Sequence, residues 1–212
     1  MTALLKAPHP PSAVESEAAD CLTEIFRDTV NLAIWQRRLD APLHAFADAV
    51  LAHSDSLERF ISVGPGESAH ELLPAWAANL PGSSAFLADL DHLIEMFRCL
   101  FEPAAVGVRL HALQRPMCPR FHTDRVPVRL LSTYLGPGTE WLPESCVVRH
   151  GDTGRLPDQT ASAAEIRHVP TGAVALLKGE AWIGNEGHGV VHRSPCGRGD
   201  PRLLIGLDWL SE

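Results

Sequence analysis

Residues 118–142 read CPRFHTDRVPVRLLSTYLGPGTEWL. A histidine and an aspartate two apart, His122 and Asp124, stand directly ahead of an apolar run that ends at Gly136-Pro137-Gly138. Residues i and i+2 of an extended chain point to one face. At a strand end the pair therefore offers an imidazole nitrogen and a carboxylate oxygen to one point. A charged carboxylate beside buried surface is costly unless it is compensated. A neighbouring arginine, Arg120 or Arg125, would compensate it, and so would a metal ion.

Outward from this stretch the chain reads as β. Val106, Val108, Leu110 and Ala112 alternate with Gly107, Arg109 and His111, the period of a half-buried strand. Further strands are expected over 126–134, 146–150, 165–169, 173–177, 189–192 and 202–210. Gly136-Pro137-Gly138, Gly151-Asp152, Pro170-Thr171-Gly172 and the turn residues of 197–201 separate them. Short strands at this spacing predict a sandwich or barrel.

The front half reads as helical. Residues 18–37 carry Leu22, Ile25, Phe26, Val30 and Ala33 at helical spacing, and residues 42–52 carry Phe46, Ala49, Val50 and Leu51. The same period runs through 67–79 and through 84–101, where Ser84 is a candidate N-cap. The expected organisation is a disordered lead over 1–14, a helical region over 15–103 and a β unit over 104–212.

Composition bounds the function. With 212 residues and 45% apolar content, the chain can bury a sizeable core. No run of eighteen apolar residues is present, and the start, MTALLKAPHPPSAVES, lacks the apolar core of a signal peptide. A cytoplasmic protein without membrane association is expected. Five cysteines with no CxxC argue against a disulfide framework and against a zinc ribbon. Residues 1–97 hold 14 acids and 5 bases, so the net charge of −8 resides in the front half. Only Lys6 and Lys178 are lysines, and no nucleic-acid footprint is visible. The arginines between 98 and 129 form a local positive field suited to a small anion. Phosphate-loop, dinucleotide and Gly-x-Ser-x-Gly motifs are absent.

A metal needs a third protein ligand, and EGHGVVHRSPCGRGDPRLLIGLDWL near the C-terminus supplies a candidate. His192 ends a short apolar strand and precedes a turn. Two histidines and one carboxylate on one side of a metal leave the other side open, as in non-haem Fe(II) sites. Ten residues on, Arg202 begins the last strand. If the last two strands run antiparallel, its planar fork faces the same cavity and suits a carboxylate.

This set, His-x-Asp followed by a distal histidine and then an arginine about ten residues on, resembles the Fe(II)/2-oxoglutarate dioxygenase superfamily over roughly residues 104–212. FHTDRVPVRLLSTYLGPGTEWL and VVHRSPCGRGDPRLLIGLDW further resemble a bacterial family known only as a domain of unknown function. The resemblance implies an α+β protein, a double-stranded β-helix (jelly roll) with an N-terminal helical region. It implies that His122, Asp124 and His192 ligate Fe(II), that Arg202 binds the far carboxylate of the cosubstrate 2-oxoglutarate, and that Tyr134 also contacts that cosubstrate. The expected activity is a hydroxylase-type oxygenase on a small molecule or protein.

Other readings stay open at this point. A non-catalytic zinc-binding or sensing module would use the same scaffold, and Cys118, Cys196 and His188 would make a softer zinc site. Arg202 could pair with Asp200 or Asp208. Trp141, Trp182 and Trp209 read as core residues, and Glu140 as a solvated loop carboxylate unless it faces the cavity.

Overall fold

The computed structural model of the protein describes residues 10–149, 156–196 and 200–211. Ten strands and two α-helices lie among the described residues. Strands β1 (Ser12–Ser16), β2 (Val30–Trp35) and β3 (Ser56–Val63) precede β4 (Ala105–Leu113) and β5 (Val128–Leu135). They are followed by β6 (Glu140–Trp141), β7 (Arg167–His168), β8 (Val174–Lys178), β9 (His192–Arg193) and β10 (Arg202–Leu210). Helices α1 (Ala41–His53) and α2 (Ser83–Phe101) flank β3 in sequence.

A seven-stranded sheet in the order β1-β2-β8-β5-β10-β4-β3 forms the body, and a three-stranded sheet in the order β7-β6-β9 forms a second layer. All pairings are antiparallel except β1 with β2. The fold is α+β, a jelly roll with helices on the outside of its large sheet.

Strand parity divides the large sheet into two faces. Val106, Val108, Leu110 and Ala112 of β4 and Leu203, Ile205 and Leu207 of β10 turn to the helices. There they meet Phe46 and Val50 of α1 and Phe86, Leu90, Leu93 and Phe97 of α2, all fully buried. Phe46 stacks on Phe86 with centroids 4.5 Å apart. The two helices approach closely where α2 begins. Gly82 has φ +79°, and a Cβ there would lie 2.0 Å from the Pro42 carbonyl oxygen, so glycine is needed on both counts. On the opposite face Leu32, Ile34, Ala175 and Leu177 pack against Trp141, Val169 and Val190 of the second layer.

The expected split at residue 103, helices before and strands after, is not followed. Residues 18–37 form one short 3-10 segment, Ala19–Phe26, and then β2. β2 lies between β1 and β8 and is buried on both faces, so it shows no alternation and its apolar run matches a helical period by chance. Residues 67–79 form two 3-10 turns, His70–Leu72 and Ala77–Asn79, with Pro74 between them removing a helical donor. β3 was not expected at all, although it supplies an edge of the large sheet. The expected strand at 146–150 is a 3-10 turn, Glu144–Cys146, followed by irregular chain to 149; His150 lies outside the described residues. Of the expected lead, residues 1–9 also lie outside them, while Ser12–Ser16 is β1. No helix among the described residues is long and apolar enough to cross a membrane.

The helix face carries the main core, so its loss should dominate stability. Phe86→Ala is expected to lower the unfolding free energy by about 3–5 kcal/mol, read from the midpoint of a urea titration.

Candidate metal centre

The loop between β4 and β5 carries His122 and Asp124, and β9 carries His192. The two histidines face each other across an isolated antiparallel bridge. Each donates its backbone N–H to the other's carbonyl oxygen at 3.0 Å. This exchange places both imidazoles on one side, with ring centroids 4.5 Å apart. His192 is held from the other side by β6, opposite Trp141. The Asp124 backbone is pinned separately, its carbonyl accepting the Glu180 N–H at 2.8 Å.

The Asp124 carboxylate then meets both rings. Its oxygens lie 3.8 Å from His122 Nε2 and 3.5 Å from His192 Nε2. One donor atom from each of the three residues falls within 4.8 Å of the others, and this is the one such cluster among the described residues. The far nitrogens fix the tautomers. His122 Nδ1 donates to the Arg120 carbonyl at 2.9 Å, and His192 Nδ1 to the Val190 carbonyl at 3.0 Å. Both Nε2 atoms thus carry lone pairs toward the carboxylate, the outer-shell arrangement typical of metal-ligating histidines. Burial pushes the His192 pKa down, against the pull of Asp124 and with the help of His122, so the ring stays neutral. Two lone pairs and a carboxylate converge with no proton between them. The donor set fits a divalent cation.

The partner expected for Asp124 in the absence of metal was Arg120 or Arg125; it is Arg129. Arg129 Nη1 donates to Asp124 Oδ2 at 2.8 Å. The same guanidinium holds Asp208 through Nε at 2.6 Å and Nη2 at 3.2 Å, and Asp208 also accepts from Arg109 Nε at 2.9 Å. Burial opposes charge on Arg129, but Asp208 and Asp124 outweigh it and its pKa rises. Arg120 pairs instead with Asp158 at 3.0 Å. Arg129 ties up one Asp124 oxygen, which favours one-oxygen ligation by the other. Strand parity, applied with the cavity face known, identifies Arg129 and Asp208 as partners; the sequence places Arg129 only in the positive field of 98–129 and Asp208 only as a candidate partner of Arg202.

His122, His192, Arg129 and Arg202 line one cavity of about 350 Å³. Arg202 is 4% exposed. Among the described residues its side chain makes one hydrogen bond, a long one of 3.4 Å from Nη2 to Thr133 Oγ1, and its Nε has no partner there. Asp208 is engaged elsewhere, and among the described residues no carboxylate lies within ion-pair distance of Arg202. Burial lowers its pKa to about 10, only partly opposed by the charge of Glu140, which lies beyond ion-pair distance and is itself paired with Arg193. A buried guanidinium without a counter-charge is costly, and an anion drawn into the cavity would offset that cost.

Tyr134 does not belong to the site. Thr133 faces Arg202, so its neighbour on β5 must face the helices. There the fully buried Tyr134 hydroxyl donates to Asp89 Oδ2 at 2.5 Å, beside the fork that Arg37 makes on the same carboxylate. Burial and then Asp89 raise its pKa well above the usual value.

The cysteine-zinc arrangement is not formed either. Neither Cys118 nor Cys196 joins the cluster, and His188 Nδ1 lies 3.8 Å from Glu144. Glu140 is buried and accepts from Arg193 Nε at 2.5 Å. Trp141 is in the core as expected, Trp182 is partly buried against it, and Trp209 is 39% exposed.

The family model described as "Protein of unknown function (DUF1826)" matches residues 16–208. None of the curated proteins compared with the chain matches it in sequence. Among solved structures the chain is similar to the dioxygenase for auxin oxidation of rice, at 14% identity, covering 95% of this chain and 83% of that one with a TM-score of 0.54. It is also similar to a full-length protein of Neurospora crassa solved in complex with alpha-KG, at 11% identity, covering 93% and 84% with a TM-score of 0.50. These likenesses show a shared fold, a jelly roll.

Separation of the two faces has a measurable consequence. Tyr134→Phe should lower stability by about 1.5–3 kcal/mol, the range for a hydrogen bond to a charged group. Divalent-metal uptake at the His122 cluster, followed calorimetrically, should be unchanged.

Proposed function

The chain belongs to the DUF1826 family of proteins of unknown function, and we propose that it is an Fe(II)- and 2-oxoglutarate-dependent oxygenase. The observation that carries this reading is that both histidines of the three convergent metal donors line the same cavity as a buried arginine with no carboxylate, among the described residues, at ion-pair distance. A metal-binding module would need the donors and not the arginine.

His122 and His192 would ligate through Nε2 and Asp124 through one oxygen, which leaves the remaining positions open on the cavity side. Fe(II) held there supplies dioxygen activation coupled to oxidative decarboxylation of 2-oxoglutarate to succinate and carbon dioxide. Arg202 binds the distal carboxylate of 2-oxoglutarate, with the Thr133 hydroxyl beside its fork. This ion pair, formed where water is largely excluded, orients the 2-oxo acid end toward the donors. Arg129 holds Asp124 in place and is itself held by Asp208, which Arg109 also engages. The carbonyls of Arg120 and Val190 keep each ligating ring in the tautomer that leaves Nε2 unprotonated.

Under argon, Fe(II) and 2-oxoglutarate should give the purified protein a broad visible charge-transfer band, and His122→Ala should remove it. Tight zinc retained through purification, with no band after exchange to Fe(II), would favour a metal-binding module and overturn the proposal.

Arg202→Leu should produce effects of opposite sign. Removing a buried unpaired charge should raise the thermal midpoint of the protein alone. The same change should weaken 2-oxoglutarate binding by roughly 30-fold or more, since truncating one partner of a buried charge pair costs about 2–5 kcal/mol. A structural arginine would lower the midpoint and leave binding alone.

A further inference from the structure

The cavity does not end at the donors and Arg202. It runs across β10 and β4 to the edge strand β3, where Glu58, His111, Leu113, Met117 and Leu204 line it. Its charged lining divides into groups that have partners and groups that do not. Arg109 and Arg129 share Asp208, and Arg193 closes on Glu140 while stacking over Phe121. Arg202 is assigned above to the cosubstrate. Glu58 is the only acid of the lining, and among the described residues no basic side chain lies within ion-pair distance of it.

The residue opposite Glu58 in the β3–β4 register is His111. Its side chain is 6% exposed, and its Nδ1 is buried without a hydrogen-bond partner. Burial lowers the imidazole pKa; Glu58 pulls it up, while Arg109 and Arg129 push it further down. The net effect is a neutral ring at neutral pH, so His111 does not serve as the counter-charge for Glu58. Leu113 and Leu204 beside it, and half-exposed Met117 at the rim, offer an aliphatic wall.

We propose that this end of the cavity takes a substrate carrying a protonated amine on an aliphatic chain, with Glu58 as its counter-charge. The proposal rests on the oxygenase reading for the fate of that substrate, though its recognition can be measured without turnover. An acidic substrate would bring a second anion beside Glu58, and the one unpaired cation of the lining is already committed. A neutral substrate covering this end would displace water from the exposed carboxylate without replacing it. An ammonium on a flexible stem resolves both, its stem covering Leu113 and Leu204 while its head reaches the strand edge.

The probe pair is Nα-acetyl-lysine N-methylamide and the matching norleucine amide, which differ only in the ammonium group. Equilibrium binding of each to the full chain, with Fe(II) and 2-oxoglutarate under argon, should favour the lysine amide by about tenfold or more. Glu58→Gln should abolish that ratio and Glu58→Asp should retain part of it. Glu58 is exposed on an edge strand, so both variants should keep the wild-type melting profile. Equal affinities, no detectable binding of the lysine amide, or a preference that survives Glu58→Gln would overturn the proposal. Wild-type protein with the charge-transfer band but no ammonium preference sinks this inference alone. An ammonium preference without the band sinks the oxygenase reading and leaves the recognition site standing.

Discussion

Two backbone hydrogen bonds, exchanged between His122 and His192 at 3.0 Å each, hold the site together. They join a loop from one layer to a two-residue strand from the other, and the Ser194 N–H bond to the Cys118 carbonyl at 2.9 Å extends the same junction. The bridge is also what makes a small second sheet worthwhile. β9 is only two residues long, yet it is clamped between the loop on one side and β6 on the other. Strands this short contribute little to stability by themselves. Their role is to fix the direction of one side chain seventy residues away in sequence from its partner.

The charges around that bridge fall into two kinds. Asp124, Arg129, Asp208 and Arg109 form a chain in which every group has an opposite neighbour. Such a network costs desolvation but is internally balanced. Arg202 is unbalanced, its Nε orphaned and its nearest polar contact stretched to 3.4 Å. The first kind positions a ligand, and the second is suited to binding one. Purely structural charges would be expected to resemble the network throughout.

The site was more legible in the sequence than the fold that carries it. His122, Asp124, His192 and Arg202 could be named from a His-x-Asp pair, a distal histidine and an arginine ten residues beyond it; the structure brings the three donors together, and His122, His192 and Arg202 line one cavity. Tyr134 could not be placed, because the choice between it and Thr133 depends on which face of β5 meets the helices. VRLLSTYL carries apolar residues on both faces, Leu131 and Leu135 on the less buried one, and so hides that parity. Arg125, adjacent to Asp124, was the natural partner to name, but the two-residue period of β5 brings Arg129 instead. The front half was misread for a related reason. β2, enclosed by strands and covered on both faces, offers an apolar run without alternation, and β3 alternates only weakly because it lies at an edge.

A single sheet separates the two demands on this protein. Odd-numbered residues of β10 and even-numbered residues of β4 enter a core with the helices, while their alternates face the cavity. The helix face therefore supplies the burial that offsets what the cavity face costs, including a desolvated arginine and an imidazole with no partner for Nδ1. The separation also explains why Gly206 stands in the middle of the last strand, between Arg109 and Leu131 on the cavity side. A Cβ there would make only ordinary contacts, the nearest at 3.5 Å, so neither backbone strain nor a clash requires glycine. What glycine provides at that point is open floor in the cavity between the charge network and Arg202.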